Sequence, residues 1–134
     1  MDLIDTSLWI DFFRLSTPSA IKAQIHALVK SPGIVLCEPV IFETLRMAPA
    51  KQRHFIESVF DTIRVLPTPA TLWRDACRLG QKCAAAGFPV PSMDLLIAQL
   101  ALHHQTRLLT FDRDFEPIAK IAPLQLQVLE RRAS

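Results

Sequence analysis

Residues 3–10 read Leu3-Ile4-Asp5-Thr6-Ser7-Leu8-Trp9-Ile10, an apolar run that ends in a carboxylate and passes straight into helical spacing. Leu3 to Asp5 predicts a short buried strand. Ser7 to Arg14 predicts a helix, because Leu8, Trp9, Phe12 and Phe13 recur on one helical face. A strand that ends on an acid and hands over to a helix is the building unit of a layered α/β domain.

The same alternation continues outward from that stretch. Ser16-Thr17-Pro18 offers a hydroxyl cap and a first-turn proline for a helix carrying Ile21, Ile25, Leu28 and Val29, which Ser31-Pro32-Gly33 ends. Ile34 to Leu36 predicts a second strand, and Pro39 opens a helix to about Met47. A further helix presents Phe55, Ile56, Val59 and Phe60, and Ile63 to Leu66 predicts a third strand. A long helix runs from about Pro69 to Ala86 and stops at Gly87. Ser92 is placed to cap a helix running to His104. Arg107 to Thr110 is the fourth strand, Phe115 to Ile121 a short helix and Leu126 to Leu129 an edge strand. The expected fold is a single three-layer α/β/α domain over residues 1–134, with a mostly parallel central sheet.

Composition narrows the function classes. Half the residues are hydrophobic, 50%, which supports a packed core and excludes a disordered chain. A net charge of +2 is too small to mark a general nucleic-acid binder, so any RNA surface has to be a local patch. The apolar stretches are short and interrupted by charges, so no bilayer-spanning segment is expected. Cys37, Cys77 and Cys83 are odd in number and not closely paired, which reads as buried free thiols in a reducing compartment. With no signal-peptide pattern after Met1, a cytoplasmic location is expected.

Acids at strand and helix ends carry the functional signal. Ligands of parallel sheets bind outside the carboxyl ends of the strands, where Asp5 and Asp112 fall. Asp94 opens an apolar helix and is expected at the same edge. Glu43 shares a helical stripe with Val40 and Met47, with Phe42 and Leu45 on another apolar side. Each acid has a plainer role available. Asp5 and Asp112 can cap the elements that follow them, Asp94 suits a helix N-terminus, and Glu43 can pair with Arg46. Joint placement weakens those alternatives, because carboxylates about 4 Å apart repel by roughly 4 kcal/mol at an effective dielectric near 20. A cation relieves that repulsion, and an all-oxygen donor set suits Mg²⁺ or Mn²⁺ better than zinc.

These segments resemble a PIN-domain ribonuclease, and more closely a VapC-type toxin of a toxin–antitoxin pair. The likeness rests on Asp5-Thr6-Ser7, on Glu38 to Arg46 around Glu43, on Val90 to Ala101 around Asp94, and on Thr110-Phe111-Asp112-Arg113-Asp114. Phe111 departs from the polar or basic residue frequent there. The resemblance implies a Mg²⁺- or Mn²⁺-dependent endoribonuclease that cleaves single-stranded RNA. It implies Asp5, Glu43, Asp94 and Asp112 as catalytic and metal-binding residues, with Asp5 and Asp94 the principal ligands. Thr6, Thr110 and Asp114 become accessory residues, and Arg46 and Arg113 candidates for RNA contact. It further implies a cognate antitoxin and a homodimer. Leu8, Trp9, Phe12 and Phe13, or the helix Arg53 to Phe60, are candidates for the apolar surface this needs, although such helical stripes usually face the core.

Other acid-rich α/β proteins fit less well. A phosphoacceptor domain needs an acid ending the third strand, where Val65-Leu66-Pro67-Thr68 stands. A haloacid-dehalogenase-like phosphatase needs a second Asp at the position of Ser7, and a dinucleotide-binding domain needs a glycine-rich first turn. The remaining rival is a PIN-like module that binds RNA or protein without turnover.

Overall fold

The computed structural model describes residues 1–132. Its elements are β1 (Asp2–Ile4), α1 (Thr6–Phe13), α2 (Ser19–Val29), β2 (Ile34–Leu36), α3 (Glu38–Met47), α4 (Ala50–Phe60), β3 (Arg64–Val65), α5 (Leu72–Ala85), α6 (Ser92–His104), β4 (Arg107–Thr110), a 3₁₀ turn (Arg113–Phe115), α7 (Glu116–Ile121) and β5 (Leu126–Val128). The strands form one sheet in the order β3-β2-β1-β4-β5. Every neighbouring pair is parallel.

That order dictates the layers. The connections from β1 to β2 and from β2 to β3 step one way across the sheet, and those from β3 to β4 and from β4 to β5 step the other way. Right-handed crossovers then put α1 to α4 on one face and α5 to α7 on the other. The packing agrees, since α1 lies against α2 and α3, while α5 lies against α6 and α7. The direction of winding reverses between β1 and β4, and the carboxyl ends of those two strands form the crevice of the domain.

The core fills both sides of the sheet. Leu3, Ile4, Leu36, Leu108 and Leu109 from the strands are buried against Leu8, Trp9 and Ile25 in one layer and Ile97, Leu100 and Ile118 in the other. Trp9 stacks on Phe13 with ring centroids 5.8 Å apart and meets Phe60 edge-on at 5.1 Å.

Several local expectations need correction. Helix α1 starts at Thr6, because Asp5 itself is the N-cap. Neither α2 nor α6 has a side-chain cap. Pro18 and Pro91 hold the cap positions, and the Thr17 hydroxyl donates to Asp11 instead. Strand β3 is shorter than expected, and α5 begins at Leu72 rather than near Pro69. Phe115 closes a 3₁₀ turn and α7 starts at Glu116. Cys37 and Cys83 are buried thiols, but Cys77 is exposed.

Candidate active site

Four structural joints bring the acids to one rim. The first is the end of β1, which pairs with β4 on one side and β2 on the other. The Asp5 backbone N–H donates to the Leu109 carbonyl at 2.9 Å, extending the ladder one residue past the strand. The Asp5 side chain is only 4% exposed. Its Oδ2 accepts from the Ser7 hydroxyl at 2.9 Å, the Ser7 N–H at 3.4 Å and the Thr110 hydroxyl at 2.8 Å. Asp5 therefore caps α1 while its charge also bears on Asp94, so the capping role does not exclude a place among the acids.

Glu43 lies halfway along α3, next to the start of α1. The Thr6 hydroxyl donates to Glu43 Oε1 at 2.8 Å. Among the described residues, Glu43 makes no ion pair with Arg46, which is exposed. The apolar setting expected around Glu43 is only partial. Val40 is fully buried, but Phe42 is 57% and Met47 56% exposed.

Beyond β4 the chain turns sharply. The Asp112 N–H donates to the Thr110 hydroxyl oxygen at 2.9 Å, and Asp112 Oδ1 accepts from the Asp114 N–H at 2.8 Å. This tight acid–x–acid turn points both carboxylates toward the first turn of α6, where Asp94 sits. Asp94, Asp112 and Asp114 each place a carboxylate oxygen within 4.8 Å of the other two. The Asp94 carboxyl is pushed up to about 7, first by burial and then by the charges of Asp5, Asp112, Glu43 and Asp114. Burial likewise raises Asp5, against the lowering effect of its Thr110 and Ser7 hydrogen bonds.

Of the four acids singled out in the sequence, Asp94 and Asp112 lie in one close carboxylate group, and the charges of Asp5 and Glu43 also bear on Asp94. Thr110 is hydrogen-bonded to Asp5 and Thr6 to Glu43. Asp114 joins Asp94 and Asp112 in the tightest group, although its side chain is exposed. Arg113 is tied to Glu116 at 2.8 Å. Ser7 was not singled out as a site residue, and its place directly after Asp5-Thr6 was the available signal. The donor set is hard oxygen throughout, which fits a divalent cation of the Mg²⁺ or Mn²⁺ kind. Crowding that holds one carboxyl near neutrality is the stress such an ion would relieve.

A parallel α/β/α domain with a cluster of carboxylates near its winding reversal defines a class, and comparison with known proteins gives its family. The PIN domain matches residues 3–121. Ribonuclease VapC11 of Mycobacterium tuberculosis is 34% identical over 130 residues, covering 93% of this chain and 96% of the relative. The solved structure of FitAB bound to an IR36 DNA fragment superimposes with a TM-score of 0.74 at 17% identity, covering 99% of this chain and 100% of that chain. VapBC2 from Rickettsia felis, bound to a DNA fragment from their promoter, gives a TM-score of 0.71 at 18% identity, covering 96% and 98%. At those identities the structural likeness is one of fold. The chain belongs to the PIN-domain family, among relatives named as VapC ribonucleases.

Proposed function

We propose that this chain is a divalent-metal-dependent endoribonuclease that cleaves single-stranded RNA, and the toxin of a toxin–antitoxin pair. The observation that carries this reading is the convergence of Asp94, Asp112 and Asp114, joined electrostatically by Asp5 and Glu43, at the carboxyl edge of the sheet. Relatives named ribonucleases along nearly the whole chain support the same reaction class.

Asp94, Asp112 and Asp114 would hold Mg²⁺ or Mn²⁺ together with Asp5, and Glu43 would complete the ring of charge. A bound divalent cation lowers the pKa of an attacking water and offsets charge on the phosphate. The protein's own residues prepare the pocket for it. Thr110 and Ser7 fix the Asp5 carboxylate, and Thr6 fixes Glu43. Asp94 would hold the cation as its carboxylate, so cation and proton would compete there. Exposed Arg46, four residues before the basic stretch Ala50-Lys51-Gln52-Arg53, is the better-placed cation for an RNA backbone.

Two surfaces suit the partners. A groove of about 410 Å³ between α1, α3 and α4 has an apolar floor of Ile10, Phe13 and Ile56, with Arg14 and Lys51 among its lining residues. That chemistry fits an antitoxin segment with apolar and acidic side chains. Residues expected to supply a dimer surface, Leu8, Trp9 and Phe13, are core instead, and in α4 Ile56 and Phe60 are buried. Phe55 of that helix is 62% exposed, and a further exposed apolar pair lies elsewhere. Phe42 and Trp73, the latter 70% exposed, border a groove with no basic residue, which suits a second copy of the chain.

The test is incubation of purified protein with a panel of structured RNAs in Mg²⁺, Mn²⁺ or EDTA. Cuts confined to single-stranded segments and abolished by EDTA are expected. RNA binding with no cleavage in either metal would favour the module without turnover.

A further inference from the structure

Two short hydrogen-bond chains run in parallel from the β4 loop to one oxygen of Asp5. In one, the Asp112 N–H donates to Thr110 Oγ1 at 2.9 Å, and the Thr110 hydroxyl donates to Asp5 Oδ2 at 2.8 Å. In the other, the Phe111 N–H donates to Ser7 Oγ at 3.2 Å, and the Ser7 hydroxyl donates to Asp5 Oδ2 at 2.9 Å. Each hydroxyl has one proton, and both protons go to Asp5. The Ser7–Thr110 contact of 3.3 Å therefore has no proton left to share. Each hydroxyl is polarised by the amide behind it, which strengthens the bond in front.

We propose that Ser7 is a positioning residue of the metal site, joining Asp5 at the end of β1 to the Phe111 backbone so that the Asp5 carboxylate and the Asp112–Asp114 turn hold a fixed separation. The proposal rests on the metal-dependent reading of the pocket. Oδ2 of Asp5 is the oxygen bound by both hydroxyls, so Oδ1 is the one they leave for the pocket. Besides the Thr110 hydroxyl, Oδ2 has only the long 3.4 Å bond from the Ser7 N–H, which holds the carboxylate less firmly than a second short hydroxyl bond. The Ser7 hydroxyl adds the second short bond, at 2.9 Å from the α1 side. Its oxygen is also the acceptor for the Phe111 N–H, immediately before the acid-bearing turn. The residue acts through Asp5 and Asp112 and needs no contact with RNA.

The test compares the wild type with Ser7→Ala and Ser7→Thr. Mn²⁺ affinity is measured by calorimetry, RNA cleavage by kcat and KM, and folding by thermal melting. Loss of a group that orients metal ligands costs about 10- to 100-fold in metal affinity. Ser7→Ala is expected to lose that much Mn²⁺ affinity and a matching part of kcat at fixed metal, with KM for RNA unchanged. Amide exchange at Phe111 is expected to accelerate, because its acceptor is gone. Ser7→Thr keeps the hydroxyl and is expected to recover both affinity and exchange protection. Wild-type Mn²⁺ affinity in a folded Ser7→Ala variant would overturn the proposal, as would a folded Ser7→Thr variant no better than Ser7→Ala. A wild type that binds Mn²⁺ but does not cut RNA would sink the ribonuclease reading while the affinity comparison still decides the role of Ser7. A wild type that binds no Mn²⁺ would overturn both.

Discussion

At Asp94 two costs meet, since burial and the surrounding carboxylates both disfavour its charge and hold its carboxyl at about 7. A folded-state value above the unfolded one means that the native protein binds more protons than the unfolded chain between the ordinary carboxylate range and neutrality. Stability of the metal-free protein is therefore present at low pH and declines as pH rises toward 7. Melting curves of metal-free protein at pH 5 to 8 are expected to show that decline, and Asp94→Asn is expected to flatten it and melt higher at pH 8. Mg²⁺ should raise the melting temperature more at pH 8 than at pH 5.5, because at the lower pH it must displace a proton. A slope that Asp94→Asn leaves unchanged would move the tension to another group. At this scale the sequence was informative for residues tied to element ends. Asp5, Asp94 and Asp112 follow from strand and helix boundaries. Asp114 is legible only through the family resemblance and Ser7 not at all, because the hydrogen bonds of Ser7 to Asp5 and Phe111 form only after the chain has turned.

Helix ends account for most of the local differences between sequence expectation and structure. Ser92 and Thr17 are good capping residues by type, yet proline takes the cap position in α6 and α2 and no side-chain cap forms. The C-termini were easier to read where glycine marks them. Gly87, at φ +89°, ends α5 with its N–H donating to Ala84 and that of Phe88 to Cys83, the paired bonds of a Schellman end. Helix α6 ends the same way, with Gln105 donating to Leu102 and Thr106 to Ala101, but Gln105 takes the left-handed position at φ 53°. A side chain there costs about 1 kcal/mol or more, part of which glycine returns to the flexible unfolded chain. Gln105→Gly is expected to stabilise the fold by roughly 0.5–1 kcal/mol in denaturant titration. In α1, Trp9 is fully buried among Phe12, Phe13 and Phe60. Trp9→Ala is expected to cost about 3–5 kcal/mol. A loss below 1 kcal/mol would mean that the aromatic cluster does not anchor α1.

Across the whole molecule, alternation of strands and helices was enough to expect a layered, mainly parallel domain, and the sheet is parallel at every pairing. The strand order was not legible, because each strand is a short apolar run and nothing in it names its neighbour. That order is what makes β1 and β4 adjacent, with Asp5 and Thr110 in contact. The surfaces were also hidden. Periodicity marks an apolar face without saying whether it turns inward, so Leu8 and Trp9 were available to either reading until packing buried them. The exposed pair Phe42 and Trp73 makes a prediction at this scale. Light scattering is expected to show a dimer for the wild type and a monomer for Trp73→Glu, with no change in helix content. A wild-type monomer across micromolar concentrations would remove that interface.

Convergence of the acids into one metal-dependent nuclease centre is tested most directly by single-turnover cleavage of a single-stranded RNA with excess protein. Wild type and Asp94→Asn are compared in Mg²⁺ and in EDTA. The expected result is Mg²⁺-dependent cutting by the wild type and a loss of more than about 100-fold in Asp94→Asn, the scale of losing a main electrostatic stabiliser of a transition state. Equal Mg²⁺-dependent rates in the two proteins, or undiminished wild-type cutting in EDTA, would contradict it.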